Sequence, residues 1–227
     1  MRMNGCDRMG FSYTDFDLIE LIKSGKAECP VCRLEEERIK QSMKVLLYES
    51  VTKREFRRDI RHTRICKKHF EMFKKSVKED LTVAGLGPAI IFKDMIESQF
   101  EVIKKPTGLT RKNQTYDCYF CRYNASLPER LINSAYNVLK TGDGFATFRN
   151  SESILCLDHF EMLKNYAQKR RDKPFVSVLT EVQSVKIETL RERLQGFIDK
   201  HDYANHQKIS QEEAESINTA FNMLLKI

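Results

Sequence analysis

The chain has 227 residues, 41% of them apolar and 31% charged, with a formal net charge of +7. This composition excludes general disorder, and the length leaves room for one domain or two small ones. No run of 18 apolar residues occurs, and Met1 to Phe16 lacks the apolar core of a signal peptide, so no membrane span and a cytoplasmic chain are expected.

In chain order, Thr14 or Asp15 can cap a first helix with Phe16, Ile19, Leu21 and Ile22 on its buried side, ending near Gly25. Cys29-Pro-Val-Cys32 follows, and behind it Ile39, Met43, Leu46, Leu47 and Val51 recur at helical spacing. Lys53 to Ile60 predicts a short helix resting on Phe56 and Ile60. Cys66-Lys-Lys-His69 starts the next helix, which carries Phe70, Phe73 and Val77. Gly85-Leu-Gly-Pro88 breaks the chain, and Pro88 suits the first turn of a helix striped with Ile91, Met95, Ile96, Phe100 and Ile103. The polar, basic segment from Thr107 to Tyr116 marks the expected boundary between two halves, 1–106 and 107–227, and its shortness predicts halves that pack together.

The second half repeats the plan. Cys118-Tyr-Phe-Cys121 precedes a capped start at Ser126-Leu-Pro-Glu129 and a helix through Leu131, Ala135, Val138 and Leu139, which Gly142-Asp-Gly144 ends. Phe145 to Ser153 returns the chain to Cys156-Leu-Asp-His159. Pro174 opens the longest helix, with Leu179, Val182, Leu190, Leu194, Phe197 and Ile198 on its apolar side. Ser210-Gln-Glu-Glu213 is a capping box for a last helix bearing Ile217, Phe221, Leu224 and Leu225. Strand-like alternation is nearly absent, so the expected class is all-α: two similar metal-clipped helical halves, then a long helix and a C-terminal helix.

The repeated motif carries the chemistry. CxxC, 33 residues, then CxxH-Phe-Glu-Met in the first copy matches CxxC, 34 residues, then CxxH-Phe-Glu-Met in the second. The two sulfurs of a CxxC turn can meet on one ion, and a helix starting at the cysteine of CxxH puts the histidine three residues on along the same face. Cys3His is a standard structural zinc set with no position left for water. The candidate ligands are therefore Cys29, Cys32, Cys66, His69, Cys118, Cys121, Cys156 and His159, holding two Zn2+ ions per chain, with iron as the alternative metal. Each copy supplies four ligands as two pairs. Duplicated halves permit a site within one copy or an exchange of pairs between them. A thiol–disulfide role for CxxC is the rival reading, but the βαβ context of such turns is missing. Cys6 is left over as a spare thiol.

Three further features qualify. His201, Asp202 and Tyr203 form a second candidate site, against which stands a capping role for His201 at the end of the long helix. Arg54, Arg57, Arg58, Arg61, Arg64, Lys67 and Lys68 can track phosphates, or they form a solvated basic face. Two zinc–thiolate sites would lower the net charge to about +5, an excess that a solvated surface explains as well as nucleic-acid binding does. His62 and His206 read as exposed loop residues, and Phe70 and Phe160 as core. No nucleotide loop, nucleophile elbow or catalytic metal signature is present, which favours a non-enzymatic role.

At Cys29-Pro-Val-Cys-Arg-Leu-Glu-Glu-Glu37, Leu46-Leu-Tyr-Glu49, both CxxH motifs and Phe197-Ile-Asp-Lys-His-Asp-Tyr203, the sequence resembles a family of uncharacterised prokaryotic proteins, domain of unknown function family 6062. The resemblance spans about Phe16 to Leu225 and carries over the eight candidate ligands and the His-Asp-Tyr end of the long helix. It implies no established activity. The expectation is a zinc-stabilised helical protein that binds a protein partner through its helical faces. The alternatives are a nucleic-acid-binding zinc protein using the Arg54 to Lys68 stretch, and an enzyme or redox protein.

Overall fold

A computed structural model describes residues 12–61, 63–79, 85–104, 118–202 and 207–224. Cys6, His62, Tyr203, His206, Leu225 and the expected boundary segment 107–116 lie outside the described residues, as does the side chain of Val77. The helices among them are α1 (Tyr13–Lys23), α2 (Pro30–Tyr48), α3 (Arg54–Arg61), α4 (Lys67–Glu79), α5 (Leu86–Ile103), α6 (Tyr119–Tyr123), α7 (Leu127–Lys140), α8 (Gly142–Asn150), α9 (Leu157–Lys169), α10 (Lys173–Asp199) and α11 (Gln211–Leu224). Among the described residues there is no strand, only an isolated parallel bridge between Arg64 and Cys118. The all-α class is as expected.

The order of helices repeats. The run α2, α3, α4, α5 of the first copy corresponds to α6–α7, α8, α9, α10 of the second. Where α2 runs unbroken for 19 residues, the second copy interrupts its helix between α6 and α7. The Asn124 side chain stands at that break, donating to the Phe120 carbonyl at 2.9 Å and to Ser42 Oγ at 3.3 Å.

Two compact units divide the chain differently from the sequence copies. One is discontinuous, Met1–Glu35 with Pro128–Ile227; the other is continuous, Glu36–Leu127.

In the discontinuous unit, the N-cap of α1 lies two residues before Thr14 and three before Asp15, the expected caps. Ser12 is the N-cap, accepting from Asp15 N–H at 3.2 Å while the Asp15 carboxylate accepts from Ser12 N–H at 2.8 Å. Asp15 is thereby buried, where it also accepts a hydrogen bond from Ser134. Leu18 and Ile22 form the buried face, whereas Phe16 is exposed. Gly25 ends the helix in the left-handed region at φ 71°, a conformation glycine adopts without a Cβ penalty. Gly142 to Gly144 does more than end α7. Thr141 caps a further helix there, α8, accepting from Gly144 N–H at 3.1 Å, so the return toward Cys156 is largely helical.

Asp172 caps α10, accepting from Tyr136 Oη at 2.6 Å, Lys140 Nζ at 2.8 Å and Phe175 N–H at 3.3 Å. The Lys140 and Tyr136 bonds hold its carboxyl down at about 2. A folded-state pKa below the unfolded one stabilises above the ordinary aspartate range and loses that stabilisation as pH falls through about 2. Melting of Asp172→Asn across pH is therefore expected to show a deficit near neutrality that closes between about pH 4 and pH 2. A pH-independent deficit would contradict this.

The last helix departs from its expected face. α11 opens with the predicted capping box, Glu213 N–H donating to Ser210 Oγ and Ser210 N–H to Glu213 Oε2. Its buried positions are Ser216 and Thr219, however, and Phe221 and Leu224 are exposed. Helical spacing identifies residues that share a face; it does not say which face is covered.

The continuous unit packs α2, α3 and α5 around Met43, Leu47, Ile60, Phe73, Ile91 and Phe120, all buried. α3 and α5 are tied by Arg57, whose Nε and Nη2 donate to Asp94 Oδ2 and Oδ1 at 2.7 and 2.8 Å. Gly87 lets α5 approach α2 so closely that a Cβ there would lie 2.1 Å from the Leu47 carbonyl oxygen. Backbone cannot yield as a side chain can, so Gly87→Ala is expected to lower the unit's stability by about 1–3 kcal/mol, read from its melting. The far end of the α5 stripe is not buried: Ile96 is 68% exposed, Phe100 53% and Ile103 74%.

Candidate metal centres

Each ligand motif forms the first turn of a helix, and all four are built alike. Cys118 and Cys156 are the N-cap residues of α6 and α9, and Cys29 and Cys66 immediately precede α2 and α4. The carbonyls of Cys29, Cys66, Cys118 and Cys156 accept the first helical bonds from Arg33, Phe70, Arg122 and Phe160. The second ligand of each motif, Cys32, His69, Cys121 or His159, then lies three residues on, over the same end of the helix. Four positive helix ends thus face the sulfurs, which favours thiolate over thiol.

The pairing is crossed. Cys29 and Cys32 of the first copy gather with Cys156 and His159 of the second, and Cys118 and Cys121 of the second gather with Cys66 and His69 of the first. Backbone pairing explains the crossing. Ile154 N–H, two residues before Cys156, donates to the Glu28 carbonyl beside Cys29 at 3.3 Å. Tyr119 N–H, beside Cys118, donates to the carbonyl of Arg64, two residues before Cys66, at 3.2 Å. In the first centre, buried Gln183 fixes the approach by clamping the Leu155 backbone from both sides, Nε2 to the carbonyl at 2.7 Å and N–H to Oε1 at 3.3 Å. The first centre lies wholly within the discontinuous unit and the second wholly within the continuous one.

The spacing fits a tetrahedral ion. Zn–S of about 2.3 Å and Zn–N of about 2.0 Å imply edges of about 3.8 Å between sulfurs and about 3.5 Å from sulfur to nitrogen. In the first centre His159 Nδ1 lies 3.6, 3.2 and 3.2 Å from Cys29, Cys32 and Cys156, and Cys32 Sγ lies 3.5 Å from Cys156 Sγ. In the second, His69 Nδ1 lies 3.3, 3.4 and 3.4 Å from Cys66, Cys118 and Cys121, and Cys66 Sγ lies 3.9 Å from Cys121 Sγ. These sulfur separations are far outside the roughly 2.05 Å of a disulfide, and all six cysteines of the two centres are free.

Both histidines turn Nδ1 inward, so what Nε2 meets distinguishes the centres. His159 Nε2 faces the Glu35 carboxylate at 3.8 Å, whereas His69 Nε2 is buried with no hydrogen-bond partner among the described residues. Burial differs too: Cys29, Cys156 and His159 are buried in the first centre, while Cys121 in the second is exposed. Without a metal the thiols share protons unequally. Cys156 is held far below its ordinary value by hydrogen bonds from Cys29 and Cys32, and Cys32 is pushed up by its bonds to Cys156 and Cys29. Burial lowers His159, but Cys156 and Cys29 outweigh it and raise the ring to about 10. Burial and the charge of Lys68 lower His69. In the second centre burial pushes Cys121 up to about 12. Burial also raises Cys66, but bonds from His69 N–H and the thiols of Cys118 and Cys121 bring it below its ordinary value.

A family model described as a family of unknown function, DUF6062, matches residues 14–226. The chain belongs to this family. No curated protein and no solved structure matches it.

Among the described residues, the remaining sequence candidates of this DUF6062 chain do not gather into a further centre. His201 caps α10: its Nδ1 lies 2.9 Å from the Phe197 carbonyl and its ring leans on Phe197 at 44°, with centroids 4.3 Å apart. Asp202 is exposed beside it, and Tyr203 lies outside the described residues. Of the basic run, Arg57 is committed to Asp94, Arg58 lies 3.6 Å from Asp59, and the Arg64 backbone pairs with Cys118 and Tyr119. Arg54, Lys67 and Lys68 are exposed, and Arg61 is half-buried. Phe70 is exposed at 42%, not core, and Phe160 is half-buried. The residue that sequence reasoning missed is Glu35. Its signal was present, because a helix starting at Pro30 puts Cys32 and Glu35 three apart on one face.

Proposed function

We propose that each Cys3His centre holds one structural Zn2+ ion and that the protein is a non-enzymatic interaction module of the cytoplasm, binding a protein partner through its helical surfaces. The observation that carries this reading is the closed donor set: three sulfurs and one imidazole nitrogen per centre, all within 4.8 Å of one another. Such a set fills a tetrahedron and leaves no position for water or substrate, unlike a catalytic zinc site. Free thiols at every ligand position suit a reducing compartment. No described helix is long and apolar enough to cross a membrane.

Elemental analysis of the purified chain tests the proposal, with two zinc ions and six metal-protected thiols as the expected result. A metal-free chain whose cysteines cycle through disulfides would overturn it, and visible charge-transfer absorption with two equivalents of iron would move the assignment to iron.

Nucleic-acid binding is the second reading, and a charge imbalance supports it. Residues 36–127 contain 20 Lys and Arg against 12 Asp and Glu, a net +8, whereas the rest of the chain contains 19 against 20. Tyr119 and Tyr123 stack in the same unit with an interplanar angle of 16°, and Arg122 lies over the Tyr119 ring. Binding to single-stranded RNA that weakens steeply with salt would support this reading; unchanged anisotropy at low salt would end it.

A further inference from the structure

The continuous unit carries an apolar groove of about 470 Å3 along the exposed end of α5. Phe92, Met95, Ile96, Phe100 and Ile103 line it from α5, and Phe70 closes it from α4. Its base is fixed, since Phe92 rests edge-on against the buried Phe73 ring with centroids 5.1 Å apart. From Phe92 to Ile103 the stripe runs about 16 Å, three helical turns. Apolar surface of this extent, open on a folded protein, marks an interaction site.

The remaining wall is Arg64 and Ile65, directly before the ligand Cys66, and Phe70 directly follows the ligand His69. One side of the groove is therefore shaped by the backbone that the second metal centre gathers. Among the described residues Arg64 is the one charged member of the lining, and Lys104 Nζ sits 4.3 Å above the Phe100 ring.

We propose that this groove docks an acidic amphipathic helix of a partner protein, a reading that rests on the proposed interaction role and names its partner class. The apolar stripe accepts a helix side at i, i+3, i+4 and i+7, and Arg64, Lys104 and the net +8 of the unit select a partner with acidic flanks. A second copy of this chain fits less well, because it would bring the same excess of positive charge against itself. Nucleic acid fits less well too, because the lining among the described residues is seven apolar residues and one arginine, a surface suited to apolar side chains rather than to a row of phosphates.

A phage-displayed library of 20-residue helices, randomised on both faces, tests the proposal against the full-length, zinc-loaded chain. The Ile96→Glu/Phe100→Glu variant serves for counter-selection, since both positions are exposed and the changes spare the core. Enriched clones are expected to be amphipathic and net acidic. A peptide made from them should bind at least tenfold more weakly to Ile96→Glu/Phe100→Glu, and several-fold more weakly to Arg64→Glu/Lys104→Glu in a salt-dependent way. Neutral or basic winners, or equal binding to wild type and variants, would overturn the proposal. So would a wild-type dimer in light scattering that Ile96→Glu/Phe100→Glu splits, or a single-stranded oligonucleotide whose binding needs the same two apolar residues. Zinc content is measured on every chain. Loss of the metal reading would register there, independently of whether the groove variants lose the peptide.

Discussion

A chain carrying Cys29→Ser, Cys32→Ser, Cys156→Ser and His159→Asn together is expected to keep one equivalent of tightly bound zinc, while Cys29→Ser, Cys32→Ser, Cys66→Ser and His69→Asn together keeps none. Both variants lose three thiols and one imidazole, so composition cannot account for the difference. Crossed pairing does: the first set empties one centre and leaves the other whole, and the second set takes half of each. Centres closed within a single sequence copy would give the opposite result. The effect on folding should be large, because structural zinc supplies about 10–16 kcal/mol of apparent binding free energy against a total domain stability of about 5–15 kcal/mol. The first variant should therefore melt in two parts, with the continuous unit retained. The second should lose cooperative melting in both. Elemental analysis and the thiolate absorption of a cobalt-substituted chain read the number of intact centres directly.

The second large effect concerns the order in which the ions leave. A chelator in excess is expected to strip the Cys66–His69–Cys118–Cys121 centre at least about tenfold faster than the other. Cys121 is exposed there and His69 Nε2 has no hydrogen-bond partner among the described residues, whereas the other centre is more buried and sets Glu35 against His159. A carboxylate behind a ligating imidazole fixes its orientation and raises its basicity, and removing such a group costs about 10–100-fold in metal affinity. Glu35→Ala should therefore bring the two release phases together. The first quadruple variant above, which leaves only the Cys66–His69–Cys118–Cys121 centre whole, assigns each phase to its centre. Single-phase release from the wild type, or the reverse order, would refute the assignment of the weaker centre.

Much of this architecture could be read from the chain. The eight Cys and His residues that gather into the two clusters, the all-α class, the capping box at Ser210 and the capping role of His201 followed from spacing and from residue chemistry that acts over three or four positions. What escaped was long-range. The crossing of the pairs depends on Glu28 meeting Ile154 and on Arg64 meeting Tyr119, and nothing in a duplicated motif specifies which copy a strand of backbone will lie beside. The apolar faces of α5 and α11 illustrate the same limit. Ile96, Phe100, Phe221 and Leu224 recur at helical spacing and are nevertheless exposed, because periodicity is a local property and burial depends on the neighbour. Thr141 was overlooked as a cap since a Gly-rich stretch signals an end as readily as a beginning.

The crossed centres also impose an order in time. Cys66 and Cys121 are 55 residues apart, but Cys32 must wait for Cys156, 124 residues later. At about 5–20 residues per second, a ribosome releases the second CxxC several seconds before the second CxxH. If the proposed ions bind, the continuous unit would take its ion while synthesis proceeds, with Cys29 and Cys32 meanwhile bare at the start of α2. The discontinuous unit closes last, when the late half of the chain returns to the earliest cysteines, so the exposure of those two thiols to oxidants or competing metals is set by the pace of translation.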